Sequence, residues 1–231
     1  MQNTTQIIAM CALSTGAISA YSAQSEAATC TAESGPTRTP VIELYTSEGC
    51  SSCPPADQWL STLKSGPNPR PVVQAFHVGY WDYIGWVDRF ATPANTERQR
   101  QVASYNRLGG IYTPQVVLNG RDWRDWRNAA RPAAKDVAPV HIRLRQTESN
   151  RFEAQVTPGA QTPPRWTAYW TLTENGHSSQ VKAGENVGEF LKHDFVVRQY
   201  TQAGEYAAQV GQAQRLSWRS LPATPGLERH I

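Results

Sequence analysis

At 231 residues with 39% hydrophobic side chains, the chain is long enough to bury a sizeable core, as one large domain or two small ones. Its 18% charged residues and net charge of +3 exclude a disordered acidic or basic tail and make no case for nucleic acid on charge alone. Four cysteines are too few for a disulfide-dense small scaffold.

Residues 1–29 differ from the rest: Glu26 is the one charged side chain among them, and Ile7 to Ala20 is a run of apolar and small residues. That run suits the core of a signal peptide and falls short of the roughly 20 apolar residues a membrane span needs. Small residues near Ala20 and Ala27 suit cleavage, although no basic residue precedes the run. The chain is therefore expected to be exported to the periplasm or beyond, with no membrane span in the mature protein. Cys11 would depart with the leader, leaving Cys30 as an odd thiol.

Thr31 to Pro40 reads as a polar lead-in. Val41 to Thr46 (VIELYT) is a short buried strand, and Ser47-Glu48-Gly49 ends it. Cys53 to Lys64 opens on prolines, tolerated in a first helical turn, and spaces Trp59, Leu60 and Leu63 as a helix does. Pro71 to Val78 is a second strand. An aromatic loop from Tyr80 to Phe90 leads to a helix over Thr92 to Leu108, signalled by Thr92-Pro93 at its start and Gly109-Gly110 at its end. Gln115 to Leu118 is a third strand, Asn119-Gly120 a turn, and Arg121 to Ala134 a short strand followed by a helix.

Beyond Ala134 the pattern changes. Val140 to Leu144, Phe152 to Val156, Trp166 to Leu172, Phe195 to Tyr200, Tyr206 to Val210 and Arg215 to Trp218 all read as strands, with turn residues between several of them. The expected architecture is an α/β domain over residues 38–135 followed by a smaller all-β, sandwich-like domain over 137–231.

Cys50-Ser51-Ser52-Cys53 carries the chemistry. Two cysteines three apart, after a strand and at the start of a helix, can close a small disulfide ring. The helix dipole and unpaired backbone N–H groups favour a thiolate there, so Cys50 is the expected nucleophile and Cys53 the resolving thiol. One such pair does not supply the four ligands of a closed zinc site.

The segments Val41 to Pro55 (VIELYTSEGCSSCPP), Phe76 to Trp86 (FHVGYWDYIGW) and Tyr112 to Gln115 (YTPQ) resemble a widespread bacterial family of secreted thioredoxin-like proteins catalogued as a domain of unknown function. Gly184 to Gly188 and His193 to Arg198 resemble its C-terminal half. The resemblance implies export, a thioredoxin-like α/β fold for the first domain, and a cis bond at Thr113-Pro114 that packs against the cysteines and bares the preceding backbone for a substrate. Many relatives carry an acidic residue where this chain has Gly79, so no role is carried to that position.

Tyr80, Trp81 and Thr113 are the expected substrate-binding residues beside catalytic Cys50, Cys53 and Pro114. The leading function is thiol–disulfide exchange with a protein thiol or disulfide, without a resident cofactor. An alternative is a metal chaperone holding copper(I) on Cys50, Cys53 and His77, since soft thiolates select that ion. Another is an interaction protein in which the disulfide is a static staple. Asp82 reads as a local turn partner. The run Arg121 to Arg131, with Trp123 and Trp126, reads as arginine stems over tryptophan rather than a nucleic-acid surface.

Overall fold

The computed structural model describes residues 30–66 and 70–231. The leader expected over residues 1–29, Cys11 included, lies outside the described residues. Among the described residues no helix is long and apolar enough to cross a membrane.

In chain order the strands are β1 Thr31–Glu33, β2 Val41–Thr46, β3 Val72–His77, β4 Gln115–Leu118, β5 Arg121–Asp122, β6 Val140–Glu148, β7 Arg151–Pro158, β8 Arg165–Glu174, β9 His177–Gln180, β10 Phe190–His193, β11 Val196–Ala207, β12 Gln214–Arg219 and β13 Arg229–His230. The helices are α1 Pro54–Ser61 and α2 Pro93–Tyr105, with single 3-10 turns at Thr62–Lys64 and Asp82–Ile84.

The expected α/β thioredoxin-like class is overturned. The protein is mostly β, and among the described residues the strands form three sheets of four, two and seven. The seven-stranded sheet runs β13-β8-β11-β3-β2-β4-β5, so strands from both halves of the chain share it. The sequence pattern missed this because periodicity shows which residues form strands and not which neighbour each strand takes. Ala75 N–H donates to Phe195 O at 2.8 Å, and Val196 pairs in parallel with Ala75. β11 thereby occupies what would be the bare edge of β3, a liability in an isolated sheet.

β2 lies at the centre, parallel to β3 and antiparallel to β4. Its side chains alternate between faces, as a strand requires. Ile42 and Leu44 pack with Ala56, Leu60 and Leu63 of the α1 segment. Tyr45 packs on the other face with Phe76, Val117, Val197 and Val102 of α2. The two helices thus cover opposite faces of one strand. α2 starts where Thr92 accepts Asn95 N–H on its hydroxyl at 3.2 Å. Thr92→Ala is expected to cost about 1 kcal/mol, read as a small drop in the urea midpoint with α2 still formed by circular dichroism.

A second core lies between the four-stranded sheet β1-β6-β7-β12 and the far end of the seven-stranded one. Phe152, Ala154, Val156, Leu216 and Trp218 meet Trp170 and Leu172 there, with Trp170 and Trp218 stacked at 5.4 Å. The lead-in read as polar coil supplies β1, which pairs with β6. The helix expected before Ala134 does not form. After β5 the chain makes one turn closed by Ala129 N–H to Asp125 O, and Trp126 and Trp123 dock on Trp59 instead. Of the strand expected over Tyr206 to Val210, Tyr206 and Ala207 end β11 and the remaining residues are not strand.

Candidate functional site

Cys50 and Cys53 form a disulfide at the start of α1. Cys53 is the residue that caps the helix, and Pro54 and Pro55 follow it. Two prolines remove two backbone donors at the helix start. Cys53 O takes the N–H groups of Ala56 and Asp57. The N–H of Ser51 is taken by the carboxylate of Glu185 at 3.0 Å. The stock of free amides anticipated around Cys50 is therefore largely spent. Ser52 places its hydroxyl 3.3 Å from Cys50 Sγ.

The Thr113–Pro114 bond is cis. Tyr45 pairs with Gln115, so the start of β4, just after Pro114, and the end of β2, just before the cysteine loop, lie at the same edge of the sheet. Trp81 links the two: its indole N–H donates to Thr113 Oγ1 at 2.8 Å, and its Cβ stands so near Gly49 that an added methyl there would be 3.0 Å away. Tyr80 buries its hydroxyl with no partner among the described residues, and burial pushes that hydroxyl above the ordinary tyrosine range.

The disulfide is sealed. Cys50 is 1% exposed and Cys53 fully buried. A loop from the other half of the chain, 184–188, is hydrogen-bonded to the backbone on either side of Cys50. Asn186, itself buried, donates through Nδ2 to Glu48 O at 2.8 Å and Cys50 O at 3.0 Å. Gly184, at φ +77°, sits so close that a Cβ would fall 3.1 Å from Ile84. The sequence shows Gly184 to Gly188 only as a turn or a contact surface between the halves. The amide groups it joins are more than 130 residues apart in sequence, and no local pattern encodes that.

Beneath the cysteines lies a buried polar cluster. His77, the last residue of β3, has Nδ1 2.7 Å from Asp88 Oδ2. His193, the last residue of β10, has Nε2 3.1 Å from Glu48 Oε1. Trp86 N–H donates to the other Glu48 oxygen at 2.7 Å, and Glu48 N–H donates to Asp88 at 2.9 Å. Asp57 lies one helical turn past Cys53, and Thr46 donates to its Oδ2 at 2.9 Å.

Burial opposes charge on His193, Glu48 and Asp88, and their contacts outweigh it. Desolvation lowers the His193 pKa, but Asp57 and Glu48 push it up to about 9. Desolvation raises Glu48 and Asp88, yet hydrogen bonds from His193 and Trp86 hold Glu48 low and the His77 contact holds Asp88 low.

Of the residues expected at the site, the structure brings Cys50, Cys53, Trp81, Thr113 and Pro114 to one edge. His77 groups with Asp57 and His193 among the described residues. Sequence reasoning missed Asp57, Glu48, Asp88, His193 and Asn186 as site residues. The signals were present as acidic residues flanking the cysteines and as the HDFVVR segment. Cys30 is exposed and unpaired among the described residues.

A crystal structure of an Agrobacterium tumefaciens protein, solved as a structural genomics target, is similar to this chain at 23% identity over 80% of each chain, with a TM-score of 0.57. At that identity the likeness extends to the fold alone. No curated protein matches. The model of the DUF1223 family, described as a protein of unknown function, matches residues 41–226, and the chain belongs to that family.

Proposed function

We propose that the protein is exported and exchanges disulfides with protein thiols in the cell envelope through Cys50 and Cys53. The observation that carries this reading is the pair itself: a disulfide of three-residue separation at the mouth of α1, beside the edge where β4 begins. In the oxidising direction a partner thiolate attacks one sulfur of the Cys50–Cys53 bond. The resulting mixed disulfide is resolved by the partner's second thiol, leaving both cysteines reduced and the partner oxidised by two electrons. The reducing direction reverses these steps, with Cys50 as nucleophile and Cys53 as resolving thiol.

Trp81 and Thr113 form the wall against which an extended partner segment would lie. The sealed position of Cys50 means that a partner reaches it only when the 184–188 loop lifts. Lifting also frees the Ser51 N–H now held by Glu185, a donor next to the reactive sulfur.

A Cys53→Ser variant is expected to accumulate mixed disulfides with envelope proteins, seen as thiol-reversible bands on a non-reducing gel. Cys50→Ser should accumulate none. If Cys53→Ser captures nothing and the wild-type bond resists a thiol buffer, exchange is wrong. That same outcome supports a second reading, favoured by the burial of both sulfurs, in which the bond is a static staple.

A further inference from the structure

Asp57, His77 and His193 converge from α1, β3 and β10. Each offers one ligand atom, and these atoms all lie within 4.8 Å of one another. All three residues are buried, at 6%, 0% and 2% exposure.

Each histidine uses one ring nitrogen on a carboxylate: His77 Nδ1 on Asp88 and His193 Nε2 on Glu48. The remaining nitrogens, His77 Nε2 and His193 Nδ1, are buried with no hydrogen-bond partner among the described residues. Buried polar atoms are nearly always paired, so two orphans beside one carboxylate need a cause. An ordinary core histidine does not supply it. His193 Nδ1 is 3.9 Å from Asp57 Oδ1, too far for a hydrogen bond.

An ion between the groups does supply it. Ligand atoms sharing a metal at about 2.0–2.2 Å stand roughly 3–4 Å apart. Three atoms no more than 4.8 Å apart have a common point within about 2.8 Å of each, so shifts of less than about 1 Å close the shell. The outer contacts also suit a metal, because ligating imidazoles characteristically place their other nitrogen on a carboxylate. Thr46 holds Asp57 Oδ2 and leaves Oδ1 facing His193.

We propose that Asp57 Oδ1, His77 Nε2 and His193 Nδ1 bind a divalent first-row transition-metal ion, zinc or one of similar preference, at a site that uses neither cysteine. Two imidazoles disfavour magnesium and calcium. The three carboxylates of Asp57, Glu48 and Asp88 offset the charge of such an ion. Metal and proton compete for His193 Nδ1, as at any histidine ligand.

The test is titration of chelator-treated, untagged protein with Co²⁺, with thermal unfolding followed in Zn²⁺. A saturating visible band at one ion per chain and a rise in Tm with Zn²⁺ are expected. The Cys50→Ser/Cys53→Ser double variant should keep both signals. Asp57→Asn, which can still accept from Thr46, should weaken binding at least about tenfold while keeping the wild-type circular dichroism. His193→Gln should do the same. Neither a band nor a Tm shift in the wild-type protein would overturn the proposal. So would binding that survives both Asp57→Asn and His193→Gln, or binding lost in the cysteine double variant. None of these outcomes depends on thiol exchange.

Discussion

Replacing Asn186 by alanine is expected to speed reduction of the Cys50–Cys53 bond by a thiol reagent at least about tenfold. Asn186 is the buried anchor of the 184–188 loop, and its amide bonds both Glu48 O and Cys50 O. Each such bond contributes about 1 kcal/mol net. Losing both changes the open population by about 2 kcal/mol, or somewhat over tenfold. Because the sulfurs are sealed in the closed state, the observed rate should follow that population. Glu185→Gln removes only an exposed carboxylate from Ser51 N–H and should change the rate much less. Alkylation of newly freed thiols, quenched at intervals, reads both variants. A rate in Asn186→Ala equal to the wild-type rate would show that the loop is no gate.

The surroundings of the cysteines show where sequence reading ends. Val41–Thr46 and Gln115–Leu118 are legible at their observed bounds because β-branched and aromatic runs flanked by Gly, Pro and Asn encode strands locally. α2 is legible from Thr92-Pro93. The cysteine pair is legible because its spacing is its chemistry. The placement of β11 beside β3 is not, because one parallel contact at Val196 and Ala75 leaves no trace in the periodicity of either strand. The α/β expectation fails because strands in several sheets dominate the chain and the helix expected after β5 does not form. β9 and β10 are short and alternate weakly, yet β10 delivers His193 to the cluster under the cysteines. Asp57 stands in plain view four residues after Cys53, but its neighbours Thr46, His77 and His193 come from three separate strands. Local physics encodes the elements and the reactive pair, while the groups around that pair come from long-range packing.

The same long-range packing gives the largest expected loss of stability, from Arg98→Met. Arg98 on α2 grips Glu43 of β2 through Nη2 at 2.7 Å and Nε at 3.0 Å. Its guanidinium lies 4.2 Å from the ring centroid of Tyr169 on β8 and 5.1 Å from that of Tyr200 on β11. One side chain therefore ties the helical layer over β2 to the strands from the other half. Glu43 is only 4% exposed, and its second partner is the hydroxyl of Tyr45, which donates at 2.7 Å. Arg98→Met keeps the apolar stem but strands that carboxylate, a change that costs about 3–5 kcal/mol when a buried ion pair loses one member. Urea unfolding should show the loss as a lower midpoint with an unchanged slope. The pair arrangement, rather than the arginine stem, is at work if Glu43→Leu combined with Arg98→Met recovers most of it, since removing both charges leaves no buried charge unpaired and only the Tyr45 hydroxyl without its acceptor. A single-variant loss below about 1 kcal/mol, the range of exposed pairs, would mean that water reaches Glu43 and that this pair adds little to holding the two halves together.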